Sequence, residues 1–501
     1  MEMAARRVRA FKRWMKREGI QCSDALDLTV SATQGLSVTA LADLHVGDAV
    51  ARIPKATCLT VITTAARDMI DAAGLDGSLG LAVAIMHERS LGEQSHWAPY
   101  LAVLPEQEPI PLVWTAEELL RGTELHDTVK EDRGVMLEDW KESIEPLQDQ
   151  IGSTQFESFF GFEEYLAART LVASRSFQID DHYHGVGMVP LADIFNHKTA
   201  AEDVHLNTSA STENSESDTT ENSGSEEGNE SANESTTSTT SSVGASTNDD
   251  VASSATDDDG DDDDLEMVMV KDVKVGAEVF NTYGLLGNAA LLHRYGFTEP
   301  DNPFDIVNID LELVLQWSAS LFSGQHRRAR LSLWRRLGYS GCASHNSEYF
   351  EISFNGEPPN ELLLLLYIML LQQDAYDKID LALATTGNSN GHMDGILSDK
   401  TEKLSDITAE FSEAVLLTNT ICNALLSLAD MRESLYGKNS IQDDIEALKR
   451  CCSIKEKKLY HSLMLRISER RIIQKFRTFA TSGSQVTTGE QASPRKKLKR
   501  K

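Results

Sequence analysis

Three short polar runs stand where regular patterns of the chain end. They are SRSF (174–177), ADIFNH (192–197) and NTYG (281–284), the last leading into NAALLHRYGF. Ends of elements are where side chains from distant segments converge into sites. Together the runs offer a guanidinium (Arg175), a carboxylate (Asp193), an amide (Asn196), an imidazole (His197) and a phenol (Tyr283). Each run alone is ambiguous. Asn-His after a strand also serves as a turn or cap, and Tyr before Gly also serves as a packed aromatic. Their combination and order carry the information.

Other chemistries have weaker support. His182-x-His184 could hold a metal, but no Cys or carboxylate partner is obvious, so no metal site is expected. No G-x-G-x-x-G or G-x-x-x-x-G-K-S/T opens a helix, which argues against a Rossmann or P-loop enzyme. Six scattered cysteines, with no C-x-x-C pair, read as reduced thiols. No apolar run is long enough to span a membrane, and the basic N-terminus lacks the apolar stretch of a signal peptide. The formal charge is −31, and 20 acidic residues with no Lys or Arg fall between Glu202 and Glu266. Such a balance argues against direct nucleic-acid binding and fits a basic protein partner. The terminal SPRKKLKRK has the composition of a nuclear-import signal.

The elements that must position these runs come in blocks. The N-terminal MEMAARRVRAFKRWMKREG places Val8, Phe11, Trp14 and Met15 at helical spacing. Strands with turns follow, AVARIP among them. From residue 63 to 176 the pattern is helical: SLGLAVAIMHERSLG, TAEELL with its Thr cap and acidic first turn, and FGFEEYLAARTLVASRSF. Strand signals return at GVGMVPLADIF and at LEMVMVKDVKVGAEVFNTYG, and residues 311–479 read as nearly all helical. Two strand blocks split by a helical insert, then a helical domain, make an α+β core with a separate α domain. DVHLN and LEMVMV flank a stretch, 208–264, too poor in aliphatic residues to bury a core. The expectation is a β-hairpin with a long disordered acidic tip. Loop-closure entropy tolerates that, at about 0.6 kcal/mol per doubling of length.

GMVPLADIFNH followed by VKVGAEVFNTYGLLGNAALLHRYGF resembles the two signature segments of SET-domain protein-lysine methyltransferases. The resemblance is to the subgroup typified by the Rubisco large-subunit methyltransferase. Its opening residues and NHKTAAEDVH are similar to the plant N-lysine methyltransferase branch. The resemblance covers the folded chain. It implies a β-rich SET domain split by a helical insert, then an all-α substrate-binding domain. The expected boundaries are 1–62 for the N-terminal helix and first SET strands and 63–176 for the insert. The second SET half spans 177–298, the substrate-binding domain 299–480 and a disordered basic tail 481–501.

The resemblance also implies S-adenosyl-L-methionine as cofactor and a protein lysine as substrate. Gln34, Gly35 and Leu36 would meet the cofactor through backbone groups, with Ser37 where the pattern has a second glycine. Arg175 would reach its carboxylate, a task suited to guanidinium. Asn196 and His197 would hold its amino end and adenine. Asp193 would organise the substrate channel or hold Arg175. Tyr283 would be the catalytic tyrosine and also touch the cofactor, and Tyr295 and Phe297 would line the lysine channel. The expected protein is a nuclear or nucleocytoplasmic monomer acting on a basic protein such as a histone, transcription-related or ribosomal protein. The alternatives are a non-catalytic SET-like binding module and a protein-histidine methyltransferase.

Overall fold

The structure is a computed structural model, and it describes residues 2–31, 35–115, 117–179, 184–207, 264–343, 348–386 and 416–489. Gln34, Asp181, His182, the acidic stretch 208–263 and the tail from 490 onward lie outside the described residues.

The N-terminal helix Glu2–Arg17 buries Val8, Phe11, Trp14 and Met15, as its spacing predicts. Phe11 and Trp14 pack on Tyr100, with ring centroids 5.9 and 6.2 Å away. Strands β1 (Gln21–Cys22), β2 (Leu26–Ser31), β3 (Gly35–Ala40), β4 (Ala49–Pro54) and β5 (Leu59–Thr60) follow. β2 and β3 form a hairpin in the register Leu26↔Ala40 to Ser31↔Gly35. β6 (Ser176–Gln178) and β7 (Val186–Met188) join β5 in one sheet of order β5-β7-β6.

The expected hairpin around the acidic stretch is present. β8 (Val204–Asn207) pairs antiparallel with β9 (Asp264–Met269), from Val204↔Met269 to Asn207↔Glu266. β9 also pairs with β4, giving the sheet order β1-β4-β9-β8. Burial alternates along β9, with Leu265, Met267 and Met269 inward. That period of two fixes the register, because a one-residue slip would turn all three outward. The described fold therefore breaks off at Asn207 and resumes at Asp264, at the facing ends of one antiparallel pair.

Most of the insert shares the core of the strands, and only a small cluster of Ile110, Leu112 and Leu166 lies within the insert itself. Leu81–Met86 of the helix Gly77–Ser90 and Leu171 of the helix Phe162–Arg175 are buried in the same cluster as Val38, Ile53, Met188 and Leu265 of the strands. TAEELL does not open a long helix. Glu117–Leu120 is a single tight turn, and the helix starts only at Leu125. Gly122 explains the break. It has φ +78, and a Cβ there would lie 2.6 Å from the Leu435 carbonyl carbon of the C-terminal domain.

The C-terminal domain has a second core, centred on the helices Asn360–Leu370, Asn419–Ser434 and Lys457–Gly489. It is mostly helical, as read, and adds a small sheet the sequence pattern did not reveal. β10 (Val307–Asp310), β11 (Cys342–Ala343) and β12 (Glu348–Ile352) form it in the order β10-β12-β11. Val307, Ile309, Phe350 and Ile352 are its inward residues, too few to outweigh the surrounding helical pattern.

Buried charges fasten this domain to the insert. Arg432 donates to the carbonyls of Gly122 and Asn308 at 2.6 and 3.0 Å. Arg466 donates to the Arg121 carbonyl at 2.7 Å. Glu469 accepts from the Glu124 backbone and from Tyr436 and Arg432. Burial pushes the Glu469 carboxyl up to about 7, against the pull of Arg432. Removing one member would strand a buried charge, so the network specifies how the two parts dock.

Candidate active site

The three polar runs meet. Arg175 is the last residue of the helix Phe162–Arg175, so its side chain leaves the helix end at the start of β6. Its Nε donates to Glu108 at 2.5 Å and its Nη1 to the Asp193 carbonyl at 2.9 Å. The Asp193 carboxylate lies 3.7 Å from Nη1 and accepts the Tyr100 hydroxyl at 2.8 Å. Burial disfavours the Arg175 charge, but Glu108 and Asp193 outweigh it and raise its pKa, so it stays a cation. The Asp193 carboxyl is pushed up to about 6 by burial, with Arg175 opposing. Its Oδ1 is buried without a partner among the described residues.

Asp193 stands on a strained turn. Leu191 is fully buried with φ 80, a conformation that a branched side chain adopts at a cost of roughly 1–2 kcal/mol. The turn Ala192–Ile194 that follows aims the Asp193 carbonyl at Arg175.

Asn196 and His197 run beside the NTYG segment. The Asn281 N–H donates to the Asn196 carbonyl at 2.9 Å, and His197 bridges Asn281 in parallel. The Asn196 amide donates to Glu278 at 2.7 Å. The backbone N–H of Tyr283 donates to His197 Nδ1 at 3.0 Å, and the two rings stack at 5.1 Å and 24°. Burial lowers the His197 pKa, so the ring is neutral with Nδ1 as acceptor.

β3 lies against the same segment. Val279 N–H donates to the Val38 carbonyl, and Thr39 bridges Glu278. Leu36 is half-buried against the core. Gly35 heads the strand with φ +80 and open space where a Cβ would stand. That conformation suits glycine, and it leaves backbone accessible at the hairpin tip.

Tyr283 is at the centre of an aromatic cluster. Its ring lies 4.4 Å from Tyr295, which lies 6.3 Å from Phe297, and Phe297 lies 6.1 Å from His197. Tyr295 ends the helix Asn288–Tyr295, and Gly296 then turns the chain to Phe297. The Tyr283 hydroxyl donates to the Phe195 carbonyl at 3.1 Å. Burial raises the phenol's pKa, with Arg175 opposing, so it is neutral near pH 7. Thr298 then ties the cluster to the C-terminal domain, its hydroxyl 2.9 Å and its N–H 3.2 Å from His461 Nδ1.

Of the residues named from sequence, Gly35, Leu36, Arg175, Asp193, Asn196, His197, Tyr283, Tyr295 and Phe297 are brought into one region, and Gln34 lies outside the described residues. Asp193 holds Arg175, one of the two tasks expected of it. Glu108, Tyr100 and Glu278 were not foreseen. No motif marks them, and their roles exist only through contacts 67, 93 and 82 residues distant. Among the described residues no group of three or more His, Cys, Asp or Glu could hold a metal.

Among solved structures, that of Rubisco LSMT bound to AdoMet is similar to this chain. The TM-score is 0.60 at 19% identity, covering 95% of this chain and 92% of that one. The SET domain of LSMT bound to lysine and AdoHcy aligns equally well, covering 91% of that chain. The chain has the SET-domain fold of Rubisco LSMT. No family model matches the sequence. Curated relatives include ribosomal lysine N-methyltransferase 3 of Saccharomyces cerevisiae, 26% identical over 62% of this chain and 65% of that protein. N-lysine methyltransferase setd6 of Xenopus tropicalis is 24% identical over 66% of each chain. The chain thus spans about two thirds of the length of these relatives, while setd6 of Danio rerio aligns over 95% of both chains at 21% identity.

Proposed function

We propose that this chain is an S-adenosylmethionine-dependent protein-lysine N-methyltransferase of the SET type. The observation that carries the reading is the aromatic cluster of Tyr283, Tyr295, Phe297 and His197 beside the Arg175–Asp193 pair. Solved structures of the same fold carry AdoMet, or sinefungin with monomethyllysine.

The residues present fit the cofactor. Arg175 commits Nε and Nη1 within the protein and leaves Nη2 without a partner among the described residues. A guanidinium edge of that kind takes a carboxylate. Gly35, Leu36 and the backbone of Asn196 and His197 would hold the rest. When bound, S-adenosylmethionine supplies a methyl group on a sulfonium, already electrophilic without further activation.

The protein's own task is to present a neutral amine. Lysine titrates near 10.4 in water. An aromatic channel strips the ammonium of water and lowers that value, so the proton leaves to solvent. The Tyr283 proton is committed to the Phe195 carbonyl, so its oxygen faces the channel as an acceptor. That oxygen orients the amine through its N–H and stabilises the positive charge that develops on nitrogen. Tyr295, its ring tilted 30° against Tyr283 at 4.4 Å, sets the width of the channel and hence the number of methyls that fit.

The substrate class rests on charge: the acidic stretch favours a basic protein, and the basic tail favours a nuclear one. The intact Tyr283 cluster weighs against a purely binding role. The test is transfer of tritiated methyl from S-adenosylmethionine to proteins of a cell lysate, followed by hydrolysis to amino acids. Label in methyllysine supports the reading. Label in methylhistidine reassigns the substrate, and absence of label in an assay where the chain binds the cofactor contradicts enzymatic function.

A further inference from the structure

The N-terminal helix Glu2–Arg17 has a face that the catalytic reading does not use. Its apolar side is buried, Phe11 at 0% and Trp14 at 2% exposure, so it cannot enter a membrane. Opposite that side, Arg6, Arg9, Lys12, Arg13, Lys16 and Arg17 are all exposed. Lys12 pairs with Asp27 at 2.6 Å and Arg17 with Glu18 at 2.7 Å. The other four make no ion pair among the described residues. A chain of formal charge −31 thus carries a concentrated cationic ridge on this helix.

Its complement is in the same chain. Residues 208–263 hold 16 acidic side chains and no Lys or Arg, and six of the last seven are Asp. The point where this stretch rejoins the fold is fixed. Asp264 pairs with Pro54 at the start of β9. A Cβ on Gly19, two residues past the helix, would sit 3.8 Å from the Pro54 side chain. Asp264, the last residue of the Asp run, therefore stands beside the C-terminal end of the basic helix. Reach is ample. Both ends are held at the β8–β9 pair, and half of the 56 residues, fully extended, would reach at most about 90 Å from it. The 16-residue helix is about 24 Å long.

We propose that the exposed basic face of the helix Glu2–Arg17 is a docking surface for the chain's own acidic segment 208–263. The attraction is electrostatic. It acts between exposed groups, so it weakens as salt shortens the screening length from about 30 Å at 0.01 M to about 3 Å at 1 M. Docking would occupy acidic charge that a basic substrate would otherwise meet.

The test is zero-length carbodiimide cross-linking of the full-length protein, read by mass spectrometry. Lys12 and Lys16 should link to carboxylates of residues 208–263 at 10 mM salt, with yield falling at least tenfold at 1 M. A variant with Arg6, Arg9 and Arg13 changed to Glu should lose these links at 10 mM salt. All three side chains are exposed, so its unfolding temperature should be unchanged, and that measurement separates lost docking from misfolding. The proposal is overturned if the segment links to Lys55, Lys198 and Lys271 as readily as to Lys12 and Lys16, or links to none. It is also overturned if a 20-nucleotide single-stranded RNA binds the intact chain through the helix at 10 mM salt, because the face would then be open to an external polyanion.

Discussion

The Tyr283 backbone N–H and His197 Nδ1 are joined by a 3.0 Å hydrogen bond that crosses 86 positions of sequence. Most of that span is the acidic stretch, which leaves and re-enters at the β8–β9 pair. The bond holds the two signature segments in register, stacks the imidazole on the phenol and commits the imidazole's tautomer. The halves of the site that are distant in sequence are thus joined by one bond in space.

That arrangement predicts that the chain folds without the acidic stretch. Replacing residues 208–263 with a seven-residue Gly/Ser linker removes three doublings of loop length, about 2 kcal/mol of closure entropy. Urea unfolding in 0.5 M salt, where surface charge contacts are screened, should show stability unchanged or raised. A loss of more than about 1 kcal/mol would mean that the stretch packs on the core.

Glu108 reaches Arg175 from the insert and fixes the direction of its guanidinium. Glu108→Gln keeps a hydrogen-bond acceptor but removes the charge. Cofactor affinity should fall about tenfold, as expected for loss of a charge-assisted bond worth about 1.5 kcal/mol. Calorimetric titration with S-adenosylmethionine reads this directly, and the KM for the protein substrate should move far less than that for the cofactor.

His461 gives the domain junction a pH dependence. Burial, then the nearby Lys457 charge, lowers its pKa to about 4, while the unfolded chain keeps the ordinary 6.5. A depressed histidine contributes stability that is fully present above 6.5 and is lost as pH falls towards 4. The shift corresponds to about 3 kcal/mol. Denaturant unfolding between pH 7.5 and pH 4 should show that loss in the wild type. In His461→Asn, which still accepts from Thr298, the loss should be smaller by about that amount.

The sequence disclosed whatever repeats with a period or stands in a run. Alternation in LEMVMV specified β9, helical spacing specified the first helix, and the polar ends of three segments named most of the site. Residues defined by a single distant contact were silent. Glu108 is one acidic residue among 78, set in a proline-rich loop, until the Arg175 side chain meets it. Leu191 shows no sign in sequence of its positive φ, because burial in the tertiary fold imposes it. Gly122 breaks the TAEELL pattern for the same kind of reason, since the C-terminal domain packs against its backbone.

The central claim is that Tyr283 acts in the transfer step through its hydroxyl. Tyr283→Phe keeps the ring against Tyr295 and His197 and removes only the oxygen that bonds the Phe195 carbonyl. The measurement is methyl transfer by the variant beside its affinity for S-adenosylmethionine. Loss of a preorganised group facing developing charge costs about 10²–10³-fold in rate. The account predicts a loss of that size with cofactor affinity within about threefold of wild type. Unchanged transfer would contradict it.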